Sequence, residues 1–540
     1  MNRHNIRPLI AALTLAACLT ACLDEHPKDQ AGEDAVYTSA SEVYTNAVAS
    51  LYNYFGSHTE CEGLQGTCRG IYDYNTLTTD EAINPIRGGD WYDGGLWQNM
   101  YDHTWTATDT DLYNVWKYLF RTIVLTNNSL NAISTHASLL TDKQRTAYEA
   151  EVRAVRALFY WYAMDMFGRI PLVTQDSRHI EGITQSSRST VYRFIVDELQ
   201  AVRSYLPTAN STHPGEYYGH ITAPAVDFML AKLTLNAEVY SDDDWTDGRR
   251  PDGRDILFTV DGQQLNAWQA CLAFCERITD AGYLLEEDYT ANFAVHNEGS
   301  LENIFTIPLD KMLYTNEFHY LFRSRHYAHG GAYGGSSENG TCATLSTVHA
   351  YGYGTDDEDP RFDLNFYAGK ISVDDTPVML DDGTQLEYQP LAVEKNLTAS
   401  PYKQTAGARM KKYEVDRSAY SDGRMPDNDI VLFRYADVLL MQAEALTRSG
   451  GDGSAYLDAV RKRAGAPSVA CTLDNILRER LLELVWEGWR RQDLIRFSRF
   501  TSAYDLRTPT DNEASGYTTV FPIPQTCIEL NPLFKQNPGY

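Results

Sequence analysis

Basic residues are scarce in this 540-residue sequence: 46 lysines and arginines stand against 73 aspartates and glutamates, a formal net charge of −27. A chain of that sign repels phosphate backbones and anionic lipid head groups at long range. We therefore expect no nucleic-acid partner. The N-terminal hydrophobic run Leu9–Leu19 has eleven residues, whereas a membrane-spanning helix needs about 20. We interpret this run as part of a targeting signal rather than a membrane-spanning helix.

Known catalytic motifs are also missing. The sequence has no His-Glu-x-x-His zinc motif, no Gly-x-Ser-x-Gly nucleophile turn and no phosphate-binding loop. The acids and bases between Glu487 and Asp493 fall at helical spacing, so we expect them to pair with each other or with Arg434 and Asp437. The sequence thus predicts a protein that is not an enzyme, with no catalytic residue, no cofactor and no metal site.

The N-terminus predicts export and lipidation. Arg3 and Arg7 precede the apolar run, and small residues then lead to Cys22, which is the pattern of a secretory signal peptide over residues 1–21. Leu15–Cys18 and Leu19–Cys22 both resemble bacterial lipoboxes. We favour Cys22, because cleavage at Cys18 would shorten the apolar core. Residues 22–40 would then form a lipidated tether. A plain signal peptide with an incidental cysteine is the alternative.

Cysteine usage leaves few pairing options. Besides Cys22, the mature chain would hold seven cysteines, an odd number for an oxidising compartment. Cys61 and Cys68 bracket a glycine-containing loop and could form a disulfide. Cys271 and Cys275 stand four apart in a helical stretch, a spacing that suits two buried apolar groups. We expect that second pair to serve packing.

Apolar residues recur at steps of three and four along much of the chain, so we predict a mainly α-helical fold of tetratricopeptide-like hairpins in one globular body. We expect a helical N-terminal region over 41–285, a loop-rich ligand face with small strands over 286–430, and a helical C-terminal region over 431–540. Helix caps are expected at Thr141-Asp142 and at Ser189-Thr190. The predicted helices lie near 41–55, 110–134, 189–206, 223–240, 264–281, 434–448 and 454–464.

Four ordered segments resemble the SusD/RagB family of outer-membrane nutrient-binding lipoproteins of Bacteroidetes. They are an Arg-Ala and aromatic helix with a Phe-Gly-x-x-Pro exit over 149–173, the Arg-Tyr-Ala-Asp helix over 433–445, the Glu-Gly-Trp-Arg-Arg stretch over 487–497, and the tail 521–540. The resemblance implies a lipid-anchored protein on the extracellular side of the outer membrane. It would act as a hinged lid on a SusC-like TonB-dependent barrel and bind an oligosaccharide. Peptide capture, as in RagB-like members, and a surface glycosidase are the alternatives.

The 36 tyrosines and 9 tryptophans supply candidate sugar contacts. Sugar binding needs flat rings for the apolar face of the sugar and polar groups for its hydroxyls. Two loop regions offer both, although single rings could instead cover scaffold helices. The first contains Trp91, Tyr92 and Trp97 with the polar neighbours Arg87, Asp90, Asp93 and Asn99. The second is a Gly-rich loop that contains Arg323, His326, Tyr327, Tyr333, Ser336 and Asn339. Asp80 belongs to a Thr-Thr-Asp-Glu segment that resembles one preceding the ligand loop of starch-binding relatives. The candidate ligand-binding residues are Trp91, Tyr92, Trp97, Asp80, Arg323, Tyr327 and Tyr333.

Overall fold

A computed structural model describes residues 36–174, 182–419 and 425–540. The predicted signal peptide 1–21, the lipidation site Cys22 and most of the tether 22–40 lie outside the described residues. Within those three ranges, no helix is both long enough and apolar enough to pass through a bilayer.

Helices dominate the N-terminal half, as the periodicity predicted. The long pair α4 and α5 pack together, α5 packs on α6, and α7 packs on α9. The helices are α1 Ala40–Ala47, α2 Ile71–Thr76, α3 Leu96–Asp102, α4 Thr110–Thr135, α5 Asp142–Phe167, α6 Arg188–Val202, α7 Ala223–Leu235, α8 Ala237–Tyr240 and α9 Ala267–Asp280. The strands are β1 Ala82–Ile83, β2 Ile170–Pro171, β3 Gln185–Ser186, β4 Leu257–Val260 and β5 Gln263–Asn266.

One predicted cap is confirmed and the other is wrong. Thr141 caps α5 in a reciprocal capping box with Gln144. The cap of α6 is Ser187, whose hydroxyl accepts from the Thr190 backbone N–H, so the cap lies two residues before Ser189 and the helix begins at Arg188. Both residue types can cap, and the sequence offers several serines and threonines in a row. Apolar spacing alone therefore does not determine at which of these residues α6 begins.

The middle of the chain is built from short elements between loops. The exception is the five-residue pair β6 and β14, antiparallel and fully buried, which joins this stretch to the C-terminal helices. The helices are α10 His319–Ser324, α11 Tyr327–Ala332, α12 Leu345–Ala350 and α13 Phe362–Asn365. The strands are β6 Asn303–Ile307, β7 Cys342–Ala343, β8 Phe366–Tyr367, β9 Gly369–Lys370, β10 Ser372–Val373, β11 Thr376–Pro377, β12 Glu387–Tyr388, β13 Arg409–Met410 and β14 Ile430–Arg434.

The C-terminal helices are bound together by buried ion pairs. Arg434, 1% exposed, donates to Glu302, Glu483 and Glu487 at 2.7, 2.6 and 2.8 Å. The prediction that the acids and bases of this region pair structurally is confirmed. Further pairs are Asp437–Arg480, Asp493–Arg480, Asp493–Arg496, Asp80–Arg490 and Asp165–Arg491. The helices are α14 Tyr435–Arg448, α15 Ser454–Arg463, α16 Leu473–Leu484, α17 Arg490–Arg496 and α18 Gln525–Leu530.

One cluster of buried apolar side chains extends along the chain from Val43 to Ile523 and draws on all three predicted regions. Helix α9 packs on α14, and α14 packs on α15 and α16, so the N- and C-terminal helices share this core. The mainly α-helical fold in a single globular body is confirmed.

The cysteine expectations have mixed outcomes. Cys61 and Cys68 are both buried free thiols. Their loop is closed instead by a backbone hydrogen bond, in which the Cys61 N–H donates to the Cys68 carbonyl at 2.9 Å. The disulfide considered for this pair is therefore not formed. Cys271 and Cys275 are fully buried in α9 and belong to the main core, as expected of packing residues.

Candidate ligand-binding site

The two loop regions singled out in the sequence meet in space. The Tyr327 hydroxyl donates to the Asp90 carboxylate at 3.1 Å. The Trp91 indole N–H donates to the Glu338 carbonyl oxygen, also at 3.1 Å. The loop after β1 therefore lies against the segment from α10 to β7, more than 200 residues later in the chain.

Arg87 fixes this meeting point from beneath. It is 1% exposed and donates to the carbonyl oxygens of Gly340, Lys403 and Ala406 at 3.2, 3.0 and 3.0 Å. Burial lowers the pKa of its guanidinium to about 9. Gly340 is required here, because a Cβ atom would lie 2.7 Å from the Trp91 ring. Arg87 thus holds its own loop against the loop at Gly340 and the loop at 403–406. Trp91 lies on the outer side of this junction.

An open cavity of about 430 Å³ lies on this surface, and we call it the Trp91 hollow. Tyr327 is 45% exposed at its edge, and Trp91 is half-buried. Rings with free faces beside carboxylates are the features that sugar recognition requires. The lining residues are Glu60, Cys68, Arg69, Gly89, Asp90, Trp91, Asp93, Trp97, His319, Tyr327 and Glu338.

Ion pairs order the polar wall of the hollow. Arg69 lies 3.3 Å from both Glu60 and Asp93. His319 lies 3.1 Å from Glu338. Burial disfavours the charged imidazole, but hydrogen bonds with the flanking glutamates outweigh burial and raise the pKa of His319. The wall therefore presents carboxylate oxygens that are already oriented.

Trp97 and Arg323 lie at the base rather than on the open surface. Trp97 is 1% exposed, and its indole N–H donates to Asp93 at 2.7 Å. Arg323 is also 1% exposed, pairs with Asp73 at 2.9 Å and lies with its guanidinium carbon 5.2 Å from the centre of the Trp97 ring. Trp97 meets Trp91 edge to face, with ring centres 5.8 Å apart. These two residues support the ring that borders the cavity.

The other sequence candidates are not brought into the hollow. Tyr92 is 58% exposed but does not line it. Asp80 is held by Arg490 at 2.6 and 2.7 Å. Tyr333 lies 3.3 Å from Tyr367, hydroxyl to hydroxyl, and borders a different cavity of about 470 Å³.

Sequence reasoning missed four polar residues of the hollow. Glu60 and Arg69 lie just outside the Cys61–Cys68 loop, and His319 and Glu338 flank the second ring region. The signal that could have found Glu338 is its place in the same Gly-rich loop that was already singled out. No comparable signal marks Glu60 or Arg69, because their approach depends on contacts distant in sequence. Among the described residues, no group of three or more potential ligand side chains is arranged to hold a metal ion.

Comparison with known proteins gives consistent matches along the chain. The model of the SusD family matches residues 302–540, and a model described as "Starch-binding associating with outer membrane" matches residues 71–235. The starch-binding protein SusD of Bacteroides thetaiotaomicron is 23% identical, over 89% of this chain and 87% of that protein. A SusD-like protein of Bacteroides ovatus is 24% identical, over 94% of this chain and 84% of that protein.

Solved structures show the same fold. The surface glycan-binding protein A from Bacteroides thetaiotaomicron in complex with laminarihexaose superimposes with a TM-score of 0.69 at 22% identity, covering 93% of this chain and 100% of that one. The matched segments 71–235 and 302–540 include the residues of the Trp91 hollow except Glu60, Cys68 and Arg69. These matches, together with the helical architecture, support a SusD-like family member.

Proposed function

We propose that this protein binds an oligosaccharide in the Trp91 hollow and holds it without chemical change. The observation that carries the proposal is the pairing, in one open cavity, of accessible ring surface on Trp91 and Tyr327 with carboxylates fixed beside it. A sugar can stack its C–H face on a ring while its hydroxyls donate to carboxylate oxygens in charge-assisted hydrogen bonds.

The relatives support a glycan as the ligand. One is named for starch binding, and one structural neighbour is described in complex with laminarihexaose. Neither identifies the sugar that this chain binds. At 22 to 24% identity the loops that contact ligand are free to differ, as loops do within families.

We further propose that the protein is anchored by lipid on Cys22 at the extracellular face of the outer membrane. There it would act as a hinged lid that passes the glycan to a SusC-like TonB-dependent barrel. The N-terminal sequence and the outer-membrane description of one matching family model support this location. Co-purification of a barrel with the lipidated protein from its native envelope tests the partnership, and a free, unlipidated protein would contradict it.

Native gels containing single polysaccharides test the binding function. We expect the purified protein to be retarded by at least one glycan, with no reducing sugar released from it on long incubation. Release of sugar would identify a glycosidase instead. Retention by no glycan, combined with binding of peptides measured by calorimetry, would favour the peptide-capture alternative.

Two ring variants localise the site. Trp91→Ala and Tyr327→Ala each remove ring surface from the hollow, and we expect each to weaken retention at least tenfold, because loss of a sugar-stacking ring removes a main contact. Tyr205→Ala is the matched control, since Tyr205 is 55% exposed and borders none of the cavities described here. Unchanged retention in both ring variants would place the ligand elsewhere.

A further inference from the structure

The Trp91 hollow is strongly acidic. Four of its lining residues are carboxylates: Glu60, Asp90, Asp93 and Glu338. Among the described residues that line it, Arg69 is the one arginine or lysine, and its guanidinium already lies 3.3 Å from two of those carboxylates. Even with His319 protonated, the acids outnumber the cations by four to two.

The acidic character continues beyond the hollow. A neighbouring cavity of about 420 Å³ shares Arg69 and Asp93 with it and adds Asp109 and Asp111. Its other polar lining consists of neutral groups, mainly threonine hydroxyls. A chain that extends from one cavity into the next would therefore meet further carboxylates and the same single guanidinium. The net charge of −27 adds a long-range field of the same sign.

The carboxylates are also positioned as hydrogen-bond acceptors. Asp90 accepts from Tyr327 and Glu338 pairs with His319, so each has one oxygen engaged by the protein and keeps further accepting capacity for a ligand. Sugar hydroxyls can donate to such oxygens. Uronate and sulfate groups cannot, and they would bring a negative charge next to fixed negative charges.

From this charge distribution we infer that the site selects uncharged glycans and rejects polysaccharides that carry carboxylate or sulfate groups. The inference rests on the proposed glycan-binding function and specifies its ligand class. Rejection is electrostatic, so it weakens as added salt shortens the screening length from about 30 Å at 0.01 M to about 3 Å at 1 M.

Matched pairs of polysaccharides test this selectivity. An α-glucan, a β-glucan, a mannan and a fructan are each used in native form and after oxidation of their primary hydroxyls to carboxylates, with alginate and pectin as natural acidic glycans. For any backbone that binds, we expect the oxidised form to bind at least tenfold more weakly in 0.01 M salt. The gap should narrow towards 1 M salt, while binding of the native form changes little.

Charge-neutralising variants assign the effect to the hollow. Glu338→Gln and Asp90→Asn remove one negative charge each at nearly constant size, and we expect each to reduce the discrimination between native and oxidised forms. Glu287→Gln removes an exposed charge that lines none of the cavities and should leave discrimination unchanged. Circular dichroism verifies folding, and having two independent variants keeps the test decisive if one is unstable.

The outcomes distinguish the proposed selectivity for uncharged glycans from the proposed glycan binding itself. Binding of oxidised glycan as tightly as native glycan, or binding of alginate or pectin alone, would overturn the selectivity and leave glycan binding intact. Binding of no polysaccharide of either kind would overturn the proposed function, and the selectivity with it. Discrimination that persists unchanged in Glu338→Gln and Asp90→Asn would show that these carboxylates do not cause it.

Discussion

Trp91 and Trp97 are six positions apart in one loop region, yet their surroundings assign them different roles. Trp91 keeps part of its ring accessible at the hollow, while Trp97 is 1% exposed and bonded to Asp93. The sequence could nominate both, because both lie among glycines and polar residues. It could not rank them, since burial of Trp97 depends on Arg323 from a distant segment. Ring-contact experiments on this protein therefore belong on Trp91 and Tyr327.

Asp429 provides a prediction about pH at the scale of one residue. Burial raises the pKa of this carboxyl to about 7, against the hydrogen bonds donated by the Leu309 N–H and the Tyr218 hydroxyl. Because the folded state holds this proton more tightly than the unfolded chain does, the contribution of Asp429 to stability falls as pH rises from about 4 to about 7. Asp429→Asn cannot ionise and should lack this loss.

Denaturant unfolding at a series of pH values measures the effect. We expect the stability of Asp429→Asn relative to the parent to increase with pH across that window, by up to about 1.4 kcal/mol per pH unit. Asp255→Asn, at an exposed position, is the matched control for the substitution itself. A parent-to-variant difference that stays constant between pH 4 and pH 8 would contradict the assignment.

At the scale of elements, Arg434 at the end of β14 connects three other segments through buried carboxylates. They are the loop before β6 at Glu302, helix α16 at Glu483 and the loop after α16 at Glu487. Arg434→Met removes the cation and leaves those carboxylates buried without it, so we expect the free energy of unfolding to fall by about 3–5 kcal/mol. Arg417→Met is the control, because the Arg417–Asp374 pair is exposed and such pairs contribute little. Urea titration followed by circular dichroism compares the two. Equal effects would show that burial does not govern the contribution of these pairs.

The helices were predictable because their signal is local. Apolar spacing placed α4, α9, α14 and α15 to within a few residues of their observed bounds. Two predicted helices are longer than the observed ones because the observed helix ends in a tighter turn. The predicted helix over 41–55 is α1 followed by a 3₁₀ segment, and the one over 223–240 is divided after Leu235. Hydrogen bonding at helix ends depends on tertiary contacts, which apolar spacing does not contain.

The site was only partly predictable for the same reason. The rings Trp91 and Tyr327 are visible as aromatics in polar loops, but their meeting depends on Arg87 and its three carbonyl partners. Tyr333 lies in the same glycine-rich stretch of sequence as Tyr327, yet it borders another cavity. Loop composition therefore identified two regions that meet at one cavity, and long-range packing decided which of their side chains line it.

The whole molecule should unfold as one unit. Its main apolar core contains residues from all three predicted regions. We therefore propose that the divisions at 285/286 and 430/431 separate helical from loop-rich parts of the chain, and that these parts do not fold independently. We expect calorimetry to show a single transition that coincides with loss of tryptophan fluorescence and of helical circular dichroism. Two separated transitions, or probes that disagree, would identify a part of the chain that folds on its own.

The buried arginines that stabilise the C-terminal helices do not line the Trp91 hollow. Arg434, Arg480 and Arg496 neutralise acids within the helical body, and none of them borders the hollow. Substitutions on the two loops can therefore change the shape and charge of the hollow, where we propose that a glycan binds, without disturbing the ion pairs that stabilise the helical body. A protein divided in this way can acquire new specificities over evolution at little cost to its architecture.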